Sequence, residues 1–138
     1  MSYLLDTCVV SELRKEVPKK VKEWFGNINE ESLFISVVTI GELLDGIERL
    51  KTSKKKRDLE AWFFGEVMDR FQGKILPIDE NVAKTWGRLS ASLREKGISV
   101  GVQDLYLAAT AHVHALAVLT INTKHFKDVN IPVINPWE

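Results

Sequence analysis

The sequence predicts an α/β fold, with helices covering both faces of a mainly parallel sheet of four or five strands, and three observations lead there. Short, fully apolar runs recur along the chain, separated by segments with helical periodicity. Capping or turn-forming residues stand at the junctions between the two kinds of segment. The strand candidates also lack the polar alternation of a sheet with one wet face, so both of their faces should be covered.

Taken in order, Tyr3-Leu4-Leu5 suits a buried central strand, and Asp6-Thr7 ends it with residues that begin a turn or cap a helix. A helical stretch follows Pro18, with Val21, Trp24 and Phe25 at helical spacing. Leu33-Phe34-Ile35 is the second strand. A helix follows to about Leu50, where Ile40, Leu43, Leu44, Ile47 and Leu50 form one apolar stripe. Lys51 to Arg57 is expected to be a basic, polar break, followed by a helix carrying Leu59, Trp62, Phe63, Val67 and Phe71. Ile75-Leu76-Pro77-Ile78 reads as a strand, and Asp79 caps a helix to about Lys96 that Gly97 stops. A further helix runs from about Gly101 to His114, and Leu116 to Ile121 reads as a buried strand. Ile131-Pro132-Val133-Ile134 contains proline and should be an edge strand. With no internal repeat, residues 1–138 read as one domain.

Composition narrows the function without naming it. Nineteen Lys and Arg against nineteen Asp and Glu cancel, so any nucleic-acid role must rest on local charge placement. One cysteine, Cys8, permits neither an internal disulfide nor a cysteine-clustered zinc site. The first apolar stretch is broken by Asp6 and Glu12, which argues against a signal peptide. No apolar run reaches the roughly 20 residues of a membrane span, and a cytoplasmic location is expected.

The informative pattern is where the carboxylates fall. Asp6 directly follows the first strand, Glu42 lies early in the helix after the second, and Asp104 lies early in a later helix. Glu42 and Asp104 each precede an apolar stripe residue, which offsets them from the core face, and each is expected near a helix N-terminus. Right-handed crossovers can bring all three segments to one sheet edge. At 4 Å and an effective dielectric of about 20, each pair of such charges would repel by on the order of 4 kcal/mol. Either the pKa values rise or a cation binds, and oxygen-only ligands favour Mg²⁺ or Mn²⁺ over zinc. Each acid taken alone is more often a cap, or favourable charge in a first helical turn, than a ligand.

At these residues the chain resembles the PIN-domain family, specifically its VapC-like branch, and the resemblance spans nearly the whole chain. Leu4-Leu5-Asp6-Thr7 with Ser11-Glu12-Leu13 resembles the family's opening, and Ser36-Val37-Val38-Thr39-Ile40-Gly41-Glu42-Leu43 its second block. Asp104-Leu105-Tyr106-Leu107-Ala108-Ala109 resembles the third. Leu119-Thr120-Ile121-Asn122-Thr123-Lys124-His125-Phe126, with Ile134-Asn135-Pro136-Trp137, resembles the ending. Each block is weak alone; four in this order and at these intervals are specific.

The resemblance implies a single PIN-like, Rossmann-like domain and a Mg²⁺-dependent endoribonuclease, the toxin of a VapBC-type toxin–antitoxin pair. Mn²⁺ is the natural substitute. Asp6, Glu42 and Asp104 would be the catalytic and metal-binding acids, with Thr7, Thr120 and Asn122 orienting ligands or substrate. A tRNA or rRNA substrate, a VapB-like antitoxin and a homodimer are expected, with DNA met only through the antitoxin. Many relatives place a fourth acid in the last block, where this chain has Asn122 and His125. That departure puts a second metal in doubt and supplies the alternative reading, a catalytically weak or inactive PIN fold acting as a binding partner.

Other residues admit bland readings. Lys54, Lys55, Lys56 and Arg57 could contact RNA or simply be a solvated loop. Arg88, Arg94 and Lys96 are weaker candidates for phosphate contact. Trp62-Phe63-Phe64 cannot all face one core, so at least one member is a candidate interface residue. Trp86 suits the core or a dimer contact. His112 falls on an apolar helix face and should be buried, and Cys8 should be inert packing. Three other classes fail on single positions. A haloacid-dehalogenase-like phosphatase needs Asp where Cys8 stands, and a receiver domain needs an acidic pair near the start and an Asp ending a middle strand. A dinucleotide-binding module needs a Gly-rich turn where Asp6-Thr7-Cys8-Val9 stands.

Overall fold

A computed structural model describes residues 1–138. The sheet has five strands, β1 (Tyr3–Leu5), β2 (Leu33–Ser36), β3 (Ile75–Leu76), β4 (Ala117–Leu119) and β5 (Val133–Ile134). They lie in the order β3-β2-β1-β4-β5, every pair parallel. The helices are α1 (Thr7–Leu13), α2 (Lys19–Gly26), α3 (Val37–Glu48), α4 (Lys54–Ala61), α5 (Met68–Arg70), α6 (Glu80–Glu95) and α7 (Val102–His114).

The parallel α/β fold follows from the pattern of apolar residues. Successive side chains of a strand point to opposite faces, and β1 at the centre shows this directly. Tyr3 and Leu5 join a core with Val9, Leu43, Ile47 and Phe63, while Leu4 joins a second with Leu105, Ala108, Val118 and Phe126. Helices α1, α3 and α4 therefore cover one face, and α6 and α7 the other. The proline-containing segment supplies β5 at the sheet edge, as its missing donor requires.

Capping sets the helix starts. Asp6 caps α1, Ser36 caps α3 and Asp79 caps α6, each side chain accepting a backbone N–H of the first turn. Gly97, just past α6, takes φ +72°, a conformation that glycine adopts without the penalty a Cβ brings.

Four sequence expectations are corrected. Lys54–Arg57 is the opening of α4 rather than part of a loop, because Ser53 Oγ accepts from Lys56 N at 3.1 Å and starts the helix there. The aromatic segment Trp62–Val67 is π-helical rather than α-helical. In a continuous α-helix, residues four apart drift by about 40°, and a wider turn reverses that drift. Phe63, Val67 and Phe71 all reach the core that way. Glu42 is not in a first turn, since α3 begins at Val37; only Asp104 keeps the favourable dipole. His112 is exposed rather than buried: it continues the face of Leu105 and Ala108 into the last turn of α7, where it lines an open groove with Arg88, Leu89 and Ile131.

Of the aromatic triple, Phe63 is buried, Trp62 is half-buried and Phe64 is 60% exposed. Trp86 stacks on Tyr106 at 5.3 Å, and its buried Nε1 has no hydrogen-bond partner. No helix is long and apolar enough to cross a membrane.

Candidate active site

The three acids come from separate segments at the C-terminal edge of the central strands. Asp6 follows β1 and is only 6% exposed. Its Oδ1 accepts from Thr7 N at 2.7 Å, and its Oδ2 accepts from Thr120 Oγ1 at 2.8 Å. Thr120 directly follows β4, and Asp6 N donates to Leu119 O at 2.9 Å, so pairing of two adjacent strands holds this contact. Cys8 Sγ lies 3.5 Å from Asp6 Oδ2. Burial, then the Asp6 charge, pushes the Cys8 thiol upward, so it stays protonated and is not a nucleophile.

Glu42, half-buried on α3, is reached from α1. Thr7 Oγ1 donates to Glu42 Oε1 at 2.6 Å. Thr7 Oγ1 also lies 3.1 Å from the Oγ1 of buried Thr39, and with a single proton it favours the shorter contact to Glu42. Asp104, in the first turn of α7, meets His125, whose Nδ1 stands 3.0 Å from Asp104 Oδ2.

Electrostatics ties the acids together. Burial raises the Glu42 pKa, the Thr7 hydrogen bond opposes this, and the charges of Asp6 and Asp104 add to the rise. Burial also raises Asp104, helped by the Asp6 charge and opposed by His125. No lysine or arginine pairs with any of the three; His125 is the one basic group in contact. The pocket edge therefore carries negative charge that the fold does not neutralise.

The donor set suits a hard divalent cation: three carboxylates, with Oε2 of Glu42 and Oδ1 of Asp104 free of protein partners. The side chains are not a formed cage, since no three His, Cys, Asp and Glu groups are gathered closely enough to hold an ion without moving. Thr7 and Thr120 both touch the acids. Asn122 does not; its backbone N donates to Thr120 Oγ1 at 3.0 Å, and its side chain is exposed.

His125 is the group that sequence reasoning left out of the site. The signal was present, because it occupies a polar position of the last motif block. Among the basic candidates, Lys54 is paired with Asp58, and Lys56 Nζ donates to Glu48 O. Lys55 alone of the four lines a groove that reaches Glu42.

Comparison with known proteins identifies the family and the fold. The family model for the PIN domain matches residues 3–132. The chain is 36% identical over 135 residues to "Toxin FitB" of Neisseria gonorrhoeae, covering 97% of each protein. It is 34% identical over 136 residues to "VapC ribonuclease Y4jK" of Sinorhizobium fredii, covering 98% of this chain and 97% of that one. The crystal structure of FitAcB from Neisseria gonorrhoeae superposes with a TM-score of 0.89 at 34% identity, covering 99% of both chains.

Proposed function

The chain belongs to the PIN-domain family, and we propose on that footing that it is a Mg²⁺-dependent endoribonuclease, the toxin of a VapBC-type toxin–antitoxin pair. What supports the reading is the proximity of Asp6, Glu42 and Asp104 at one sheet edge, where burial and neighbouring carboxylate charge raise the pKa of the latter two. The similarity to a toxin and to a ribonuclease supplies the reaction class. An RNA substrate, tRNA or rRNA, a VapB-like antitoxin and a homodimer belong to the same proposal, with DNA approached only through the antitoxin.

Asp6, Glu42 and Asp104 would hold the Mg²⁺, with Mn²⁺ able to replace it. Bound there, the cation supplies charge against the phosphodiester and lowers the pKa of an attacking water. Thr120 fixes Asp6 Oδ2, and Thr7 fixes Glu42 Oε1, so both carboxylates keep their aim when substrate enters. Glu42 Oε2, without a protein donor, would accept the proton of that water. A phosphorus–oxygen bond forms to the water oxygen as the bond to the departing ribose oxygen breaks. His125 holds Asp104 Oδ2 in place of the fourth acid of many relatives, which favours one metal over two.

The test is cleavage of a single-stranded RNA by purified protein, with Mg²⁺ and with EDTA, beside Asp104→Asn and Asp6→Ala. Cleavage should require the cation and vanish in both variants while their circular dichroism is unchanged. Equal cleavage in EDTA, or by Asp104→Asn, would overturn the assignment; a folded wild type with no cleavage at all would leave the binding-partner reading.

A further inference from the structure

The structure brings three cations to one groove that opens beside Glu42. It has a volume of about 330 Å³ and lies between α1, α3 and α4. Thr7 and Glu42 line one side, so the groove is continuous with the candidate active site. Arg14, Lys15 and Lys55 line it as well, together with half-buried Trp62 and the apolar Leu43 and Ile47. The sequence separates these groups widely: Arg14 caps the end of α1, and Lys55 lies in the first turn of α4.

Of the cations, only Lys15 is held in an ion pair, with Glu12 at 3.2 Å. Arg14 and Lys55 are exposed and without carboxylate partners, while their neighbours Lys54 and Lys56 are engaged elsewhere. Two free cations facing a groove that begins at an acidic centre make a surface complementary to a polyanion whose backbone passes that centre. An aromatic side chain in the same groove as cations is also a pattern that holds unpaired bases, since every base has a face to stack.

We propose that this groove binds the single-stranded RNA segment flanking the scissile bond, with Arg14 and Lys55 on backbone phosphates and Trp62 against a base. This rests on the nuclease reading and adds to it a direction for the strand, across α1 and α4. Arg14 and Lys55 are positioning residues, remote from the reacting atoms. They would hold ground state and transition state alike, so their loss raises KM and leaves kcat nearly unchanged.

The experiment measures affinity for a labelled single-stranded RNA by fluorescence anisotropy in EDTA, so that no bond is cut, and cleavage kinetics in Mg²⁺. Arg14→Gln and Lys55→Gln should each weaken binding roughly tenfold, as expected for losing a hydrogen bond to a charged group. Each should flatten the dependence of log affinity on log salt by about 0.7. Arg14→Lys should recover the salt slope, and Lys54→Gln should behave as wild type. Unchanged affinity, salt slope and KM in Arg14→Gln and Lys55→Gln, in protein that still cleaves RNA, would leave the groove to a protein partner and overturn this inference alone. Failure of the wild type to bind or cleave single-stranded RNA overturns it together with the nuclease reading.

Discussion

His125 Nδ1 stands 3.0 Å from Asp104 Oδ2, so an imidazole faces the acid that opens α7. The contact lowers the Asp104 pKa against the larger upward effects of burial and of Asp6. His125→Ala should therefore raise the Asp104 pKa further, measurable by NMR titration of the carboxyl carbon. His125→Asp should enlarge the gain in Tm that Mg²⁺ produces, because a fourth carboxylate adds repulsion that only a cation relieves. An equal Mg²⁺ response in His125→Asp and wild type would count against a cation near this position.

The raised Glu42 and Asp104 pKa values have a defined sign in stability. The folded chain holds these protons to higher pH than the unfolded chain does, so stability without a divalent ion falls as pH rises from about 4 through the raised values. Above them the penalty is fully present. Thermal melts in EDTA should show Asp104→Asn and Glu42→Gln at least as stable as wild type at neutral pH, and a weaker fall with pH. At a concentration near 100 times its Kd, Mg²⁺ should stabilise the wild type by about 2.7 kcal/mol, and the variants less.

Thr120 is fully buried, donates to Asp6 Oδ2 and accepts from Asn122 N. Thr120→Val keeps the volume and leaves a buried carboxylate short of a donor. Urea denaturation should show a loss of about 1–3 kcal/mol. Thr120→Ser, which keeps the hydroxyl, should lose less and retain more activity.

Adjacent aromatics should separate core from surface. Phe63→Ala removes a side chain that is 2% exposed and should cost about 3–5 kcal/mol. Phe64, 60% exposed, touches Phe63 edge-on at 4.9 Å, and Phe64→Ala should cost about 1 kcal/mol or less. Similar costs for the two would mean that the π-helical turn is absent in solution.

Ala115 ends α7 with φ +54°, where a Cβ is strained. Ala115→Gly should stabilise by about 0.5–1 kcal/mol, less the entropy that glycine adds to the unfolded chain. A melt at unchanged or lower temperature would show that the strain is not there.

The layered fold was legible in local pattern alone, and so were the three candidate acids. Apolar runs, helical stripes and caps such as Asp6, Asp79 and Gly97 are properties of neighbouring residues, so they are readable before any long-range contact exists. The motif blocks put Asp6 after β1, Glu42 in the helix after β2 and Asp104 in the first turn of α7 for the same reason. The tertiary structure alone decided which side chains meet. Thr120 reaches Asp6 because β1 and β4 pair in one register, and His125 reaches Asp104 because the segment after β4 turns back over α7. Exposure of His112, the helical setting of Lys54–Arg57 and the place of Lys55 in the groove beside Glu42 depend likewise on how helices pack. Packing is a many-body choice among rotations of similar local energy, and no window of sequence contains the partners that decide it.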